Sequence, residues 1–192
     1  MKLAIVDLGC GNVGSVSIAF KRFGLTPLVT GDAEVIASAD KVILPGVGAA
    51  GYAMQRIRAL GLVETLRGLT QPALGICLGM QLLFERSEEE DIECLGLIPG
   101  QVRRLAAAPG RPVPHMGWSR VAVADEGIGL RSGDYVYFAH SFACDAGAET
   151  VASAQYGRQI PAAVRRANWL GAQFHPERSG AAGAGFLRAF LA

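Results

Sequence analysis

Cys77 lies between two glycines in Gly75-Ile76-Cys77-Leu78-Gly79. The short apolar run Ala73-Leu74 precedes it, and residues with helical spacing follow it. A nucleophile placed where a strand becomes a helix is an elbow: the turn is sharp, and a Cβ on either flank would strike neighbouring backbone. Free N–H groups and the positive dipole end of the following helix favour thiolate, the form that attacks carbonyl carbon. Taken alone, G-x-C-x-G also fits a buried structural cysteine packed by glycines.

A reactive cysteine needs a base to take and return a proton, and the base needs a partner to hold its tautomer. Gln173-Phe174-His175-Pro176-Glu177 offers both at the end of a second apolar strand. Residues i and i+2 share a side in extended structure, and Pro176 excludes helix, so His175 and Glu177 are read as base and orienter. The chain has three histidines, so few rivals exist. His140, in Phe138-Ala139-His140-Ser141-Phe142, is one, but no acid stands within two positions of it.

Attack on an amide carbonyl creates an oxyanion that needs two donors, each worth ~3 kcal/mol in a dry site. The N–H of Leu78 is one candidate. Leu44-Pro45-Gly46-Val47-Gly48-Ala49 follows another strand, and Val47 or Gly48 can supply the second. The glycines allow close backbone approach, and a rotated peptide in this loop would switch one donor off. The His140-Ser141 pair can bind a carboxylate or ammonium. Gly9-Cys10-Gly11-Asn12-Val13-Gly14 fits a dinucleotide fingerprint with Glu34 20 positions on. Yet Glu34 falls past the second strand, and such turns are common in α/β folds.

Positioning these groups requires a scaffold. The first half alternates: strands over 3–7, 27–30, 41–44 and 72–76, helices over 12–23, 49–60, 62–69 and 78–86. This order implies a parallel sheet with helices on both faces and a site beyond the carboxyl ends of the strands. The acidic run 87–93 reads as a solvated loop. After it come short strands over 102–105, 120–123, 135–138, 151–155, 162–166 and 169–174. They read as antiparallel hairpins at the sheet edge, closed by a helix over 184–191. The fold expected is a three-layer, flavodoxin-like α/β domain, 1–192, with a mostly parallel sheet and antiparallel edge strands.

Composition excludes several classes. Of 192 residues, 51% are hydrophobic and the net charge is +1, which opposes disorder and gives no electrostatic case for nucleic acid or an anionic membrane. No apolar run reaches the ~20 residues of a span. Four scattered cysteines without C-x-x-C spacing argue against zinc or a disulfide framework and for a reduced, cytoplasmic protein.

Across almost the whole chain these motifs resemble class I (triad) glutamine amidotransferases: the elbow resembles the nucleophile motif, His175-Pro176-Glu177 the base motif, and Pro45 to Gly48 the oxyanion loop. More narrowly, Asp7-Leu8-Gly9-Cys10-Gly11-Asn12, Pro114-His115-Met116-Gly117-Trp118 and His175-Pro176-Glu177-Arg178-Ser179-Gly180 are similar to glutaminase subunits of imidazole glycerol phosphate synthases. The resemblance implies glutamine hydrolysis through a Cys77 thioester, with Gln81, His140, Ser141, Phe142 and Gly48 near the substrate. It implies no cofactor or metal. It also implies a (β/α)8-barrel cyclase partner that uses the ammonia in histidine biosynthesis, with Asn12, Met116, Trp118 and Arg178 near it. Leu8, Ser119 and Arg178 depart from residues common in that subfamily. Three alternatives stay open: the glutaminase component of another amidotransferase such as anthranilate synthase, a partner-independent cysteine hydrolase, and a nucleotide-binding module built on Gly9 to Gly14.

Overall fold

The computed structural model describes residues 1–9 and 12–192. Cys10 and Gly11, in the fingerprint loop, lie outside the described residues.

The main sheet has nine strands in the order β2-β1-β3-β4-β13-β12-β11-β8-β9. Its first five are parallel: β2 (Leu28–Thr30), β1 (Leu3–Val6), β3 (Lys41–Leu44), β4 (Ala73–Ile76) and β13 (Trp169–Ala172). The remaining four continue antiparallel: β12 (Gln159–Arg166), β11 (Thr150–Gln155), β8 (His115–Val123) and β9 (Tyr135–His140). The helices are α1 (Val13–Lys21), α2 (Ala33–Ala37), α3 (Ala50–Ala59), α4 (Leu62–Arg67), α5 (Leu78–Gln81) and α6 (Gly180–Leu191).

β1, β4 and β13 are apolar throughout because both faces are covered, whereas Leu28 and Val29 of the edge strand β2 are exposed. Strand alternation divides the core in two. Leu3, Ile5, Ile43, Leu74 and Ile76 pack with Phe20 of α1 and Phe186 of α6. Ala4, Val6, Val42, Leu44 and Ala73 pack on the other face with Met54 and Ile57 of α3 and Leu62 and Leu66 of α4. Among the described residues no helix is long and apolar enough to cross a membrane.

Four expectations need correction. The last strand is not an edge hairpin strand. All four residues of β13 are buried, and such a run belongs inside a sheet. It inserts between β4 and β12, with Ala172 in register with Ile76. Second, the helix after the elbow ends at Gln81. The carbonyls of Leu82, Leu83 and Phe84 instead accept from Leu95, Leu97, Ile98 and Gly96 at 2.8–2.9 Å, so tertiary partners replace the next helical turn. Third, the acidic run forms a hairpin, β5 (Arg86–Ser87) with β6 (Ile92–Glu93). Fourth, the strand near residue 102 leaves the main sheet. β7 (Gln101–Arg104) pairs with β5 and with β10 (Phe142–Cys144) in a separate four-stranded sheet. The short helix α2 was not foreseen, although Asp32 signals it by accepting from the N–H groups of Glu34 and Val35.

Candidate active site

Cys77 links β4 to α5 with φ 54° and ψ −108°. This left-handed conformation costs a non-glycine residue ~1–3 kcal/mol and persists only when its surroundings over-determine it. They do: Cys77 N–H donates to the Ala172 carbonyl at 2.7 Å, and its own carbonyl accepts from Met80 and Gln81. The flanking glycines answer to close packing. A Cβ on Gly75 would lie 2.7 Å from the Gly79 oxygen, and one on Gly46 2.8 Å from Leu78 Cβ. α5 is only four residues long. The polarity at Cys77 therefore comes from the free N–H groups of one turn rather than from a long-helix dipole.

β13 delivers the second group. Because it lies beside β4 and parallel to it, its carboxyl end opens next to Cys77. His175 N–H donates to the Tyr137 carbonyl, and the Ser179 hydroxyl donates to the His175 carbonyl at 2.7 Å. His175 Nδ1 stands 2.9 Å from Glu177 Oε1. The pair meets through a single 3-10 turn, Pro176–Arg178, rather than the extended segment expected. Proline at its first position has the right φ and no N–H to waste. Burial disfavours the His175 imidazolium, but hydrogen bonding to Cys77 and to Glu177 outweighs it, so its pKa is raised to about 10. Both partners favour the protonated ring. Glu177 Oε2 is buried without a hydrogen-bond partner among the described residues.

Cys77 opens into a cleft of about 280 Å³ whose wall includes Val47, Gly48, Leu78, Gln81, Glu89 and His140 to Phe142. The N–H groups of Leu78, Val47 and Gly48 donate to no protein acceptor among the described residues. Gln81 Nε2 donates to the Phe142 carbonyl at 2.8 Å and to Gln173 Oε1 at 3.0 Å, while Gln173 Nε2 lies 3.8 Å from Cys77 Sγ.

The rival base is differently occupied. His140 Nδ1 is 2.8 Å from the Phe142 carbonyl and Nε2 is 3.0 Å from His115 Nδ1. Burial lowers its pKa to about 4. Asp145, the acid near it in sequence, pairs with Arg103 at 2.9 Å.

Three residues at the site were not singled out from sequence. Gln173 is fully buried beside Cys77; its place in the motif with His175 was the available signal. Glu89 was hidden in the acidic run, yet Oε2 accepts from the N–H of Ala50 at 2.8 Å and the residue lines the cleft. His115 stood only in the Pro-His-Met-Gly-Trp segment.

Of the residues expected at a partner face, Met116 (65% exposed) and Trp118 (54%) stand out on β8. Trp118 meets Tyr137 edge-on at 5.9 Å, and the Arg178 guanidinium sits 4.8 Å from the same ring. Asn12 has a local job: its side chain accepts from the N–H of Ser15 and caps α1.

A strained cysteine elbow at the end of a central parallel strand, with a histidine hydrogen-bonded to glutamate at the end of the next, is an arrangement that can support cysteine-nucleophile chemistry. The chain belongs to the glutamine amidotransferase class-I family, whose model matches residues 5–192. It is 50% identical over 192 residues to the imidazole glycerol phosphate synthase subunit HisH of Idiomarina loihiensis, covering 100% of this chain and 97% of that one. To the subunit of the same name from Salmonella typhimurium it is 47% identical over 195 residues, covering 100% and 99%. A solved glutamine amidotransferase superposes with a TM-score of 0.79 at 21% identity, covering 100% of this chain and 97% of the other, and shares the fold.

Proposed function

We propose that this chain, as one glutaminase domain over 1–192, is the glutamine-hydrolysing subunit of an imidazole glycerol phosphate synthase. The Cys77 sulfur attacks the side-chain amide carbon of glutamine. The resulting oxyanion is held by the N–H of Leu78 and that of Val47 or Gly48. His175 gives its proton to the leaving nitrogen, ammonia departs and a γ-glutamyl thioester remains. Water then attacks, its proton passes to His175, and glutamate leaves as Cys77 is freed. Glu177 keeps the imidazole oriented. Gln81, His140, Ser141 and Phe142 wall the substrate, and Glu89 provides negative charge for its ammonium.

The ammonia passes to a (β/α)8-barrel cyclase, which makes imidazole glycerol phosphate and an aminoimidazole carboxamide ribotide. The relatives from Idiomarina loihiensis and Salmonella typhimurium, each named as a synthase subunit, support this partner. Exposed Met116 and Trp118, with Arg178 and Asn12, form the face offered to it. The work is done in the cytoplasm and without a cofactor.

The observation that carries the reading is the delivery of Cys77 and the His175–Glu177 pair by adjacent parallel strands. The test is glutamate release from glutamine by the purified chain, alone and with a barrel cyclase and its ligand. Slow hydrolysis alone, large stimulation by the cyclase and loss in Cys77→Ala are expected. Turnover that no cyclase stimulates, or none at all, would overturn the assignment.

A further inference from the structure

The chain has three histidines, and the chemistry above uses only His175 for proton transfer. The other two, His115 and His140, face each other in register across β8 and β9. They belong to one chain of hydrogen bonds. His140 Nδ1 lies 2.8 Å from the Phe142 carbonyl, His140 Nε2 lies 3.0 Å from His115 Nδ1, and His115 Nε2 lies 2.8 Å from Ser119 Oγ.

One end fixes every proton. A carbonyl only accepts, so His140 Nδ1 carries hydrogen. In a neutral ring Nε2 is then bare and accepts from His115 Nδ1. His115 Nε2 is bare in turn and accepts from the Ser119 hydroxyl. Both rings are neutral at physiological pH, because burial lowers each pKa to about 4. The charged groups that act on His140, His175 and Arg158, also oppose its protonation. His115 cannot tilt to escape: it is stacked between Phe138 at 4.7 Å and Tyr156 at 3.9 Å.

The far end of this chain is the cleft wall. The Phe142 carbonyl that receives the His140 hydrogen also receives one from Gln81, whose Nε2 is shared with Gln173 beside Cys77. The half-buried Ser119 on β8 is thus connected, donor by donor, to the surroundings of the nucleophile.

We propose that Ser119 and His115 are positioning residues for the substrate amide: the hydroxyl satisfies and orients His115, whose Nδ1–H holds His140 against the Phe142 carbonyl and so steadies that carbonyl and Gln81 along the cleft. This role rests on the cleft holding glutamine. Without the hydroxyl, His115 Nε2 is buried beside no donor, a costly state. Moving the ring's hydrogen to Nε2 brings no relief, because alanine offers that N–H no acceptor and two bare nitrogens would then face each other 3.0 Å apart. The unpaired ring therefore holds His140, and through it Phe142, less firmly.

The test uses the full chain with 15N-labelled histidine, as wild type, Ser119→Ala and Ser119→Thr. Long-range 1H–15N spectra read the tautomers, and glutamine kinetics with the cyclase partner read the wall. Wild type is expected to show protonated Nδ1 and bare Nε2 on His115 and His140 across about pH 6 to 8. Ser119→Ala shifts the His115 Nε2 signal, weakens the coupling across the His115–His140 hydrogen bond and raises KM for glutamine about five- to tenfold, with little effect on kcat. Ser119→Thr, which keeps the hydroxyl, restores all of these. An unaltered His115–His140 hydrogen bond in Ser119→Ala, a weakened bond with unchanged KM, or a Thr variant as impaired as Ala would each overturn the role. A wild-type chain with no glutamine turnover would instead remove the glutaminase reading, and this role with it, whatever the spectra show.

Discussion

A Cβ on Gly79 would lie 1.8 Å from the carbonyl oxygen of Leu44, so the first turn of α5 is seated directly on the carboxyl end of β3. No side-chain rotation relieves that contact, because both parties are backbone. Gly79→Ala must therefore push α5 off β3. It would move Cys77 and the Leu78 N–H together. The expected cost is about 3 kcal/mol, seen as a fall of roughly 6–12 °C in the unfolding midpoint and loss of glutamine turnover. A variant that melts with the wild type would show that this seat is not what holds the elbow.

Strain at the nucleophile itself can be measured by a pair of variants. Cys77 holds φ 54°, which glycine tolerates and alanine does not. Cys77→Gly and Cys77→Ala both lack the sulfur, and both are expected to be inactive. The glycine variant is nevertheless expected to be the more stable by about 1 kcal/mol. That order is the reverse of the one seen in helix interiors. Equal midpoints in parallel thermal or urea melts would remove the strain.

The parallel half of the sheet was legible in sequence because β1, β3 and β4 are continuous apolar runs punctuated by glycine and proline. The elbow turn at Cys77 and the pairing of His175 with Glu177 were legible because they depend on local spacing. What escaped depended on tertiary choices. Nothing local tells that Trp169 to Ala172 belongs beside β4 rather than in a hairpin, since a four-residue apolar run fits either place. The helical spacing of Leu82 to Phe84 was real, but their carbonyls found partners 12 or more residues away. Glu89 read as one of several solvated acids because its partner, the start of α3, is distant in sequence.

The raised pKa of His175 makes stability depend on pH with a definite sign. The folded value of about 10 lies above the ordinary 6.5, so the native state holds the proton more tightly than the unfolded chain. The resulting stabilisation is complete below about pH 6.5 and is lost as pH rises through about 10. Melts of wild type and His175→Asn across this window should show a gap that narrows steadily toward alkaline pH. Because the hydrogen bonds to Cys77 and Glu177 raise the value, Cys77→Ala and Glu177→Gln should each lower it in an NMR titration. A gap independent of pH, or a titration unmoved in both variants, would contradict this account of the pair.

Glu89 joins the cleft to the fold, and two substitutions separate its roles. Its Oε2 accepts from the N–H of Ala50 at 2.8 Å, doing the work of an N-cap where Ala49 supplies no side-chain cap. Glu89→Ala removes both cap and charge. A loss of about 1 kcal/mol, or roughly 2–4 °C, is expected with a rise of about tenfold in KM for glutamine, as the ammonium loses its counter-charge. Glu89→Gln keeps an oxygen for Ala50 and discards the charge, so its midpoint should stay near wild type while KM still rises. Burial raises the Glu89 pKa, against the lowering effect of the Ala50 hydrogen bond. In the wild type, KM should therefore start to climb on acidification above the ordinary carboxylate range, and in Glu89→Gln that climb should be absent. A glutamine variant with wild-type KM would place the substrate ammonium elsewhere in the cleft.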